Sequence, residues 1–162
     1  MFKVITLILI FSCAACSKVS PYYEVTGTSA ERVTKVSALL QKPPTQPNKA
    51  NEIPFDKILD AHFFQETIGE AGDLGPSDYC SFYAINVEPQ TIPLWEKSLK
   101  PLPDYELPKG ASYLSPAVAK TWWATQQEFK TLSFYDAFPI TSIHGWVGVT
   151  KTGHIYIYGC TS

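Results

Sequence analysis

The four cysteines constrain the fold of this chain most, because they are divided unevenly along its 162 residues. Cys13 and Cys16 lie close together near the amino terminus, whereas Cys80 and Cys160 are far apart in the remainder. Two distant cysteines can join separate parts of a fold, but such a bond persists only in an oxidising compartment. The compartment therefore has to be inferred first, from the sequence around the first pair.

Residues 1–15 have the form of a secretory signal peptide. Lys3 supplies the positive charge, the run from Val4 to Phe11 supplies the apolar region, and small residues follow. The run is shorter than the roughly 20 residues that a membrane-spanning helix needs. The sequence therefore predicts an exported chain whose mature part contains no transmembrane helix.

Residues 12–17, with the sequence SCAACS, resemble the lipobox of bacterial lipoproteins. In that family the cysteine after the small residues becomes the amino terminus and carries acyl chains such as palmitate. Cys16 follows two alanines and is the expected lipidation site, with Cys13 as the alternative. Ser17 stands where an aspartate would imply retention at the inner membrane. The resemblance thus implies a protein of the cell envelope, anchored by lipid and more often in the outer than in the inner membrane.

The remaining pair, Cys80 and Cys160, is expected to form a disulfide in this oxidising setting. The alternative is a zinc site that also includes His144 and His154. Structural zinc sites have closely spaced ligand pairs, and these four residues have no such spacing. A disulfide is therefore the preferred prediction, with no metal and no other cofactor.

The mature chain is predicted to consist of a tether over 16–27 and a single globular domain over 28–162, with a Pro-rich loop at 42–53. A capping box at Thr28 and Glu31 begins the first predicted helix, which ends near Gln41. Apolar spacing or helix-start residues predict three further helices, over 55–64, 92–99 and 115–130.

Aromatic and β-branched residues predict a strand over 79–87, and residues 133–141 are predicted to be extended. The clearest hairpin has strands over 145–150 and 154–158, on either side of a turn that contains Gly153. The fold class is therefore α+β: a small antiparallel sheet that includes a C-terminal hairpin, with helices packed on one face. Residues 69–77, rich in glycine, are predicted to be a turn.

Charge excludes some function classes. The net charge of −2 does not suit a nucleic-acid-binding protein that works through a broad basic surface. Arg32 is the only arginine, so a cluster of guanidinium groups that grips phosphate is also excluded.

Candidate catalytic groups are few. Asp56 and Asp60, like Glu66 and Glu70, are four residues apart, a spacing typical of solvated helix faces. A hydrolytic site would require Asp60, His62, Glu66 and Asp136 to converge in a cleft.

Aromatic residues provide the candidate binding surface. Trp122 and Trp123 are adjacent, so one can face the core while the other lies near the surface. The candidates for an exposed patch are Trp123, Trp146, Tyr156 and Tyr158, although core packing would also explain them.

The expected function is that of a non-catalytic lipoprotein that binds another protein of the envelope, as immunity, inhibitor or surface-exclusion lipoproteins do. The membrane contact is made through the lipid. Two alternatives remain: an accessory lipoprotein of envelope assembly or stress, and a hydrolase acting on the cell wall or on lipid.

Overall fold

A computed structural model describes residues 22–40, 53–68, 78–102 and 114–161. The predicted signal peptide, both candidate lipidation sites, the whole of the predicted glycine-rich turn with Glu70, and most of the predicted Pro-rich loop lie outside the described residues. No described helix is both long enough and apolar enough to cross a bilayer.

Six strands form one open antiparallel sheet, in the order β1-β2-β3-β6-β5-β4. The strands are β1 (Tyr22–Glu24), β2 (Ile58–Ile68), β3 (Asp78–Val87), β4 (Ser133–Asp136), β5 (His144–Val149) and β6 (His154–Cys160). The helices are α1 (Ser29–Leu40), α2 (Ile92–Ser98), α3 (Gln126–Phe129) and α4 (Phe138–Thr141). The predicted α+β class and the C-terminal hairpin, β5–β6, are therefore confirmed.

Both faces of the sheet are covered. On one, the helix face, α1, α2 and α4 contribute Val36, Leu40, Trp95 and Ile140 to a core that includes Ile85, Val147 and Ile157. On the other, the aromatic face, residues 114–132 cross the strands and bury Phe64, Phe82, Trp123, Phe129, Trp146 and Tyr156. Three helices lie on one face, as predicted, whereas the covering segment on the second face, which includes α3, was not foreseen.

Helix α1 begins as its sequence predicts. The Thr28 N–H donates to Glu31 Oε2 at 2.8 Å, and the Glu31 N–H lies 3.4 Å from Thr28 Oγ1. These contacts satisfy amides that lack a partner within the first helical turn.

The helix predicted over 55–64 is wrong. A short 3₁₀ turn, Phe55–Lys57, leads into β2. Phe63 packs on the helix face and Phe64 on the aromatic face, because neighbouring strand residues point to opposite sides. A strand that is buried on both faces does not alternate between apolar and polar residues. The spacing of its apolar residues then resembles that of a helix.

The helix predicted over 115–130 is also wrong, except for its last turn. Only Gln126–Phe129 is helical, and it begins where Thr125 accepts a hydrogen bond from the Glu128 N–H at 3.1 Å. The preceding residues are held by tertiary contacts instead: the Trp123 indole N–H donates to the Leu114 carbonyl at 2.8 Å. Such contacts override the weak helix preference of the tryptophans.

The segment predicted to be extended over 133–141 divides in two. Its first half forms β4 and its second half forms α4, with Pro139 in the first turn. Asp136 Oδ1 accepts a hydrogen bond from the Phe138 N–H at 3.0 Å, which supports the start of that helix.

The first strand, β1, lies within the stretch 16–27 that the sequence assigns to a tether. Tyr22, Tyr23 and Glu24 pair with residues 64–66 of β2, and the Val25 N–H donates to the Phe63 carbonyl at 3.1 Å. The stretch thus contributes an edge strand to the sheet.

Cys80 and Cys160 form the predicted disulfide, between directly paired residues of β3 and β6. The register also brings Phe82 opposite Tyr158 and Ala84 opposite Tyr156. This is expected if the strands that carry the two cysteines are neighbours.

Candidate functional site

The aromatic residues considered for binding are mainly core residues. Trp123, Trp146 and Tyr156 are only 4–5 % exposed, and Tyr158 is half-buried. The Trp123 ring meets the Phe82 ring edge-on at 5.2 Å and the Tyr156 ring at 5.5 Å. Three of the four candidates for an exposed patch are thus buried, as the core-packing alternative predicts, because residues 114–132 cover this face of the sheet.

Asp60 and His62 lie two residues apart on β2 and share the aromatic face. His62 Nε2 is 3.5 Å from Asp60 Oδ2, and the imidazole stacks on the half-buried Trp122 with ring centroids 5.3 Å apart. Arg32 Nη2 donates to both Asp60 oxygens at 2.7 Å, and its Nε donates to Oδ1 at 3.2 Å.

These contacts set the charges of the pair. Burial raises the pKa of Asp60, but hydrogen bonds from Arg32, Ser29 and the Ala61 N–H outweigh it, and the net pKa is lowered. Burial lowers the pKa of His62, and the Arg32 charge adds to this, against the opposing effect of Asp60. The result is a carboxylate held in an ion pair beside a histidine that favours its neutral form.

A second histidine–carboxylate pair lies further across the same face. The register places Asp60, Asn86 and His154 side by side on β2, β3 and β6. His154 Nδ1 lies 2.9 Å from Glu128 Oε1. Two strand spacings, about 10 Å, separate His154 from Asp60, so the two pairs do not form one constellation.

The other two predicted acids lie elsewhere. Glu66 Oε2 accepts a hydrogen bond from the Ala117 N–H, near the β1 edge. Asp136 lies on β4, at the opposite edge, where its Oδ1 accepts the Phe138 N–H and its Oδ2 is 3.9 Å from the exposed ammonium of Lys100. Asp60, His62, Glu66 and Asp136 therefore do not converge in one cleft.

Metal ligands are not assembled within the described ranges, which contain no group of three or more His, Cys, Asp or Glu side chains suited to a metal ion. Both cysteines of the candidate zinc set are in the disulfide.

An open polar cavity of about 540 Å³ lies beyond the end of the β5–β6 hairpin. Its lining includes Glu96, Glu128 and the hydroxyls of Thr131, Ser133, Thr150 and Thr152. Much of this lining already has partners: Glu96 accepts from the Tyr135 hydroxyl, and the Thr152 hydroxyl donates to that of Thr150. The cavity is polar, but most of its groups stabilise the fold.

An apolar groove of about 300 Å³ lies at the β1–β2 edge of the aromatic face. We call it the edge groove; it is lined by Tyr22, Phe64, Glu66, Thr67, Ile68, Ala117 and Val118. Three apolar or aromatic lining side chains are about half exposed: Tyr22 at 47 %, Ile68 at 50 % and Val118 at 49 %. Burial of these side chains would be favourable at about 25 cal/mol per Å² of apolar surface.

Two polar contacts hold the far wall of the edge groove against the sheet. The Ala117 N–H donates to Glu66 Oε2 at 2.9 Å. Lys120 Nζ is 2.7 Å from Glu24 Oε2 and lies 4.2 Å from the centroid of the Phe64 ring. The groove is thus fixed by links from the covering segment to both β1 and β2.

Sequence reasoning missed the edge groove. It assigned Tyr22 to the tether and Val118 to a helix over 115–130. The available signal was the pair Tyr22-Tyr23, two large aromatic residues in a stretch otherwise expected to be solvated.

Fold and surface together define only a broad class: a disulfide-linked α+β domain with an apolar groove at its sheet edge. No protein-family model, no curated protein and no solved structure matches the chain. Any statement of function must therefore rest on the residues themselves.

Proposed function

We propose that this chain is a lipid-anchored envelope lipoprotein whose domain binds another protein and catalyses no reaction. Cys16 is the proposed lipidation site, and Cys13 is the alternative. The proposed location is the cell envelope, with the outer membrane preferred over the inner membrane. The proposal covers immunity, inhibitor and surface-exclusion functions, which share this format.

The edge groove is the observation that carries the binding proposal. Contiguous apolar patches on a folded monomer mark interaction sites when they are large, whereas apolar side chains scattered singly are normal. Here Tyr22, Ile68 and Val118 stand about half exposed around one depression. An apolar side chain from a partner would replace water against these residues and gain the corresponding free energy.

Site-specific photo-crosslinking tests the proposal. A photoreactive amino acid at Val118, in the acylated chain in its own cell envelope, is expected to form a discrete product with one protein. The matched control is the same amino acid at Leu59, which is 57 % exposed and outside the groove. Introducing Ile68→Asp should abolish the Val118 product, because a carboxylate would have to be desolvated.

Equal products from both positions, or none from Val118, would contradict a binding groove. Mass spectrometry of the mature amino-terminal peptide tests the anchor separately. Acyl chains on Cys16 are expected, and an unmodified terminus would exclude the lipoprotein proposal.

The hydrolase alternative has one observation in its favour, the Glu128–His154 pair next to the polar cavity. It predicts release of soluble fragments from purified cell wall or lipid by the wild-type domain, and loss of that release in His154→Gln. The binding proposal predicts no release by either protein.

A further inference from the structure

We infer that the edge groove receives a membrane protein, and specifically an apolar stretch of its water-exposed part next to the bilayer. This inference rests on the proposed function, because it uses the lipid at Cys16 and the groove as a binding site. It adds the class of the partner and the place where the two meet.

The chain between the lipid and the groove is short. Five residues lie between Cys16 and Tyr22, so Tyr22 is six steps along the chain from Cys16. A fully extended chain spans at most about 3.3–3.6 Å per residue, so Tyr22 lies within about 20 Å of the anchored cysteine. This bound holds for any conformation of the chain between them, and it is about 30 Å if Cys13 carries the lipid.

Tyr22 is itself part of the groove. Its ring centroid is 5.5 Å from that of Phe64, on the groove floor, and its side chain is 47 % exposed. The limit on the distance between Tyr22 and the anchored cysteine therefore applies to the groove as well. A soluble 100-residue domain has a radius of gyration of about 13 Å, hence a diameter of roughly 30 Å. The short linker keeps Tyr22 within a thin layer next to the membrane. A segment that adjoins the membrane fits into this layer better than a free globular partner does.

The chemistry of the lining limits the partner further. Glu66 is the only charged residue among the groove's described lining residues, and one of its oxygens already accepts the Ala117 N–H. The partner segment should accordingly present apolar side chains, with at most one hydrogen-bond donor or basic group near Glu66. Confinement of both proteins to one membrane raises their effective concentration, so even a small apolar contact can be occupied.

The experiment changes the height of the groove above the membrane. A helical spacer of about 20 residues, inserted between Lys18 and Val19, lifts the domain by about 30 Å, at roughly 1.5 Å per residue. A flexible Gly/Ser spacer of equal length is the matched control, since it permits the domain to return to the surface. The readout is the yield of the Val118 photo-crosslink, with disulfide formation and protease resistance as checks of folding.

The helical spacer is expected to lower the yield by about tenfold or more, and the flexible spacer by much less. The captured partner should stay in the membrane pellet after alkaline extraction. An unchanged yield with the helical spacer, or a partner released by alkali, would overturn this inference and leave the binding proposal standing. Absence of any protein product in the parent chain contradicts the binding proposal itself, and labelling of phospholipid would mean that the groove faces the bilayer.

Discussion

The Arg32 guanidinium binds three acceptors at the edge of the sheet. Besides the Asp60 carboxylate, its guanidinium donates to the Ala61 carbonyl at 3.1 Å and to the Gly27 carbonyl. The Arg32 and Asp60 side chains are 19 % and 24 % exposed, so the pair is partly shielded from water. The single arginine of the chain thus covers the stretch of β2 that β1 leaves unpaired.

Replacing Arg32 by lysine should lower the free energy of unfolding by about 1.5–3 kcal/mol, because an ammonium cannot reproduce the paired donors. Urea denaturation measures the change. Lys100→Ala is the control: its pairing with Asp136 is 3.9 Å long and the lysine is 64 % exposed, so a loss of about 0–1 kcal/mol is expected. Equal losses in the two variants would show that the Arg32 contacts do not stabilise the fold.

His62 should make stability depend on pH. Burial lowers the pKa of His62 in the folded chain below its ordinary value of 6.5, so the unfolded chain takes up the proton first as the pH falls. The free energy of unfolding should therefore decrease from above pH 6.5 down through the folded pKa, and then level off.

His62→Gln should remove this decrease, which denaturation curves at several pH values would measure. The loss linked to Asp60 sets in at lower pH, as the unfolded carboxyl, with its ordinary pKa of 3.8, begins to take up a proton, and it continues down through the lowered folded pKa. A pH profile that is the same in wild type and His62→Gln would show that His62 is not the group responsible.

At the scale of elements, the disulfide ties β3 to β6 in the middle of the sheet. It closes a loop of 80 residues. The pairing continues past the bond, since the Thr161 N–H donates to the Tyr79 carbonyl at 2.9 Å and the Tyr79 N–H donates to the Thr161 hydroxyl at 2.9 Å. The register of these strands therefore does not depend on the sulfur atoms alone.

Reduction should lower the free energy of unfolding by about 4–5 kcal/mol, if the bond acts by limiting the entropy of the unfolded chain. Denaturation with and without reductant measures this, with the Cys80→Ala/Cys160→Ala double variant as a control insensitive to reductant. The reduced protein should keep its β-sheet circular dichroism before unfolding. Loss of the sheet on reduction alone would mean that the strand contacts cannot hold the register.

Most parts of the fold that sequence reasoning predicted correctly are governed by local chemistry. The Cys80–Cys160 disulfide is the exception, and it was predicted because only these two cysteines remained after the first pair was assigned to the amino-terminal segment. The capping box at Thr28 and the β5–β6 hairpin each depend on a few consecutive residues. The errors at 55–64 and 115–130 have a different origin. There the outcome depends on what covers the sheet, and residues such as Phe63 and Trp123 are compatible with helix or strand until that cover is known.

Little of the site could be predicted, for the same reason. Asp60 and His62 are two residues apart, which places them on one face of a strand but not of the helix predicted over 55–64. Arg32 is 28 residues from Asp60, and Val118 is held at the groove by contacts such as that of Glu66 with the Ala117 N–H, 51 residues away. Such long-range contacts leave no local pattern in the sequence, so the edge groove emerges only once the chain has folded.

At the scale of the whole molecule, the position of β1 decides where the folded domain begins. Val25 is 4 % exposed, Tyr22 and Tyr23 are about half buried, and Glu24 pairs with Lys120. A shortened chain that begins at Thr26 loses all of these contacts, and its free energy of unfolding should fall by about 3 kcal/mol or more. A chain that begins at Lys18 retains them and should match the unacylated full domain in urea denaturation. Equal stability of the two shortened chains would place β1 outside the cooperative unit. The expected difference would place β1, and with it this wall of the edge groove, inside that unit.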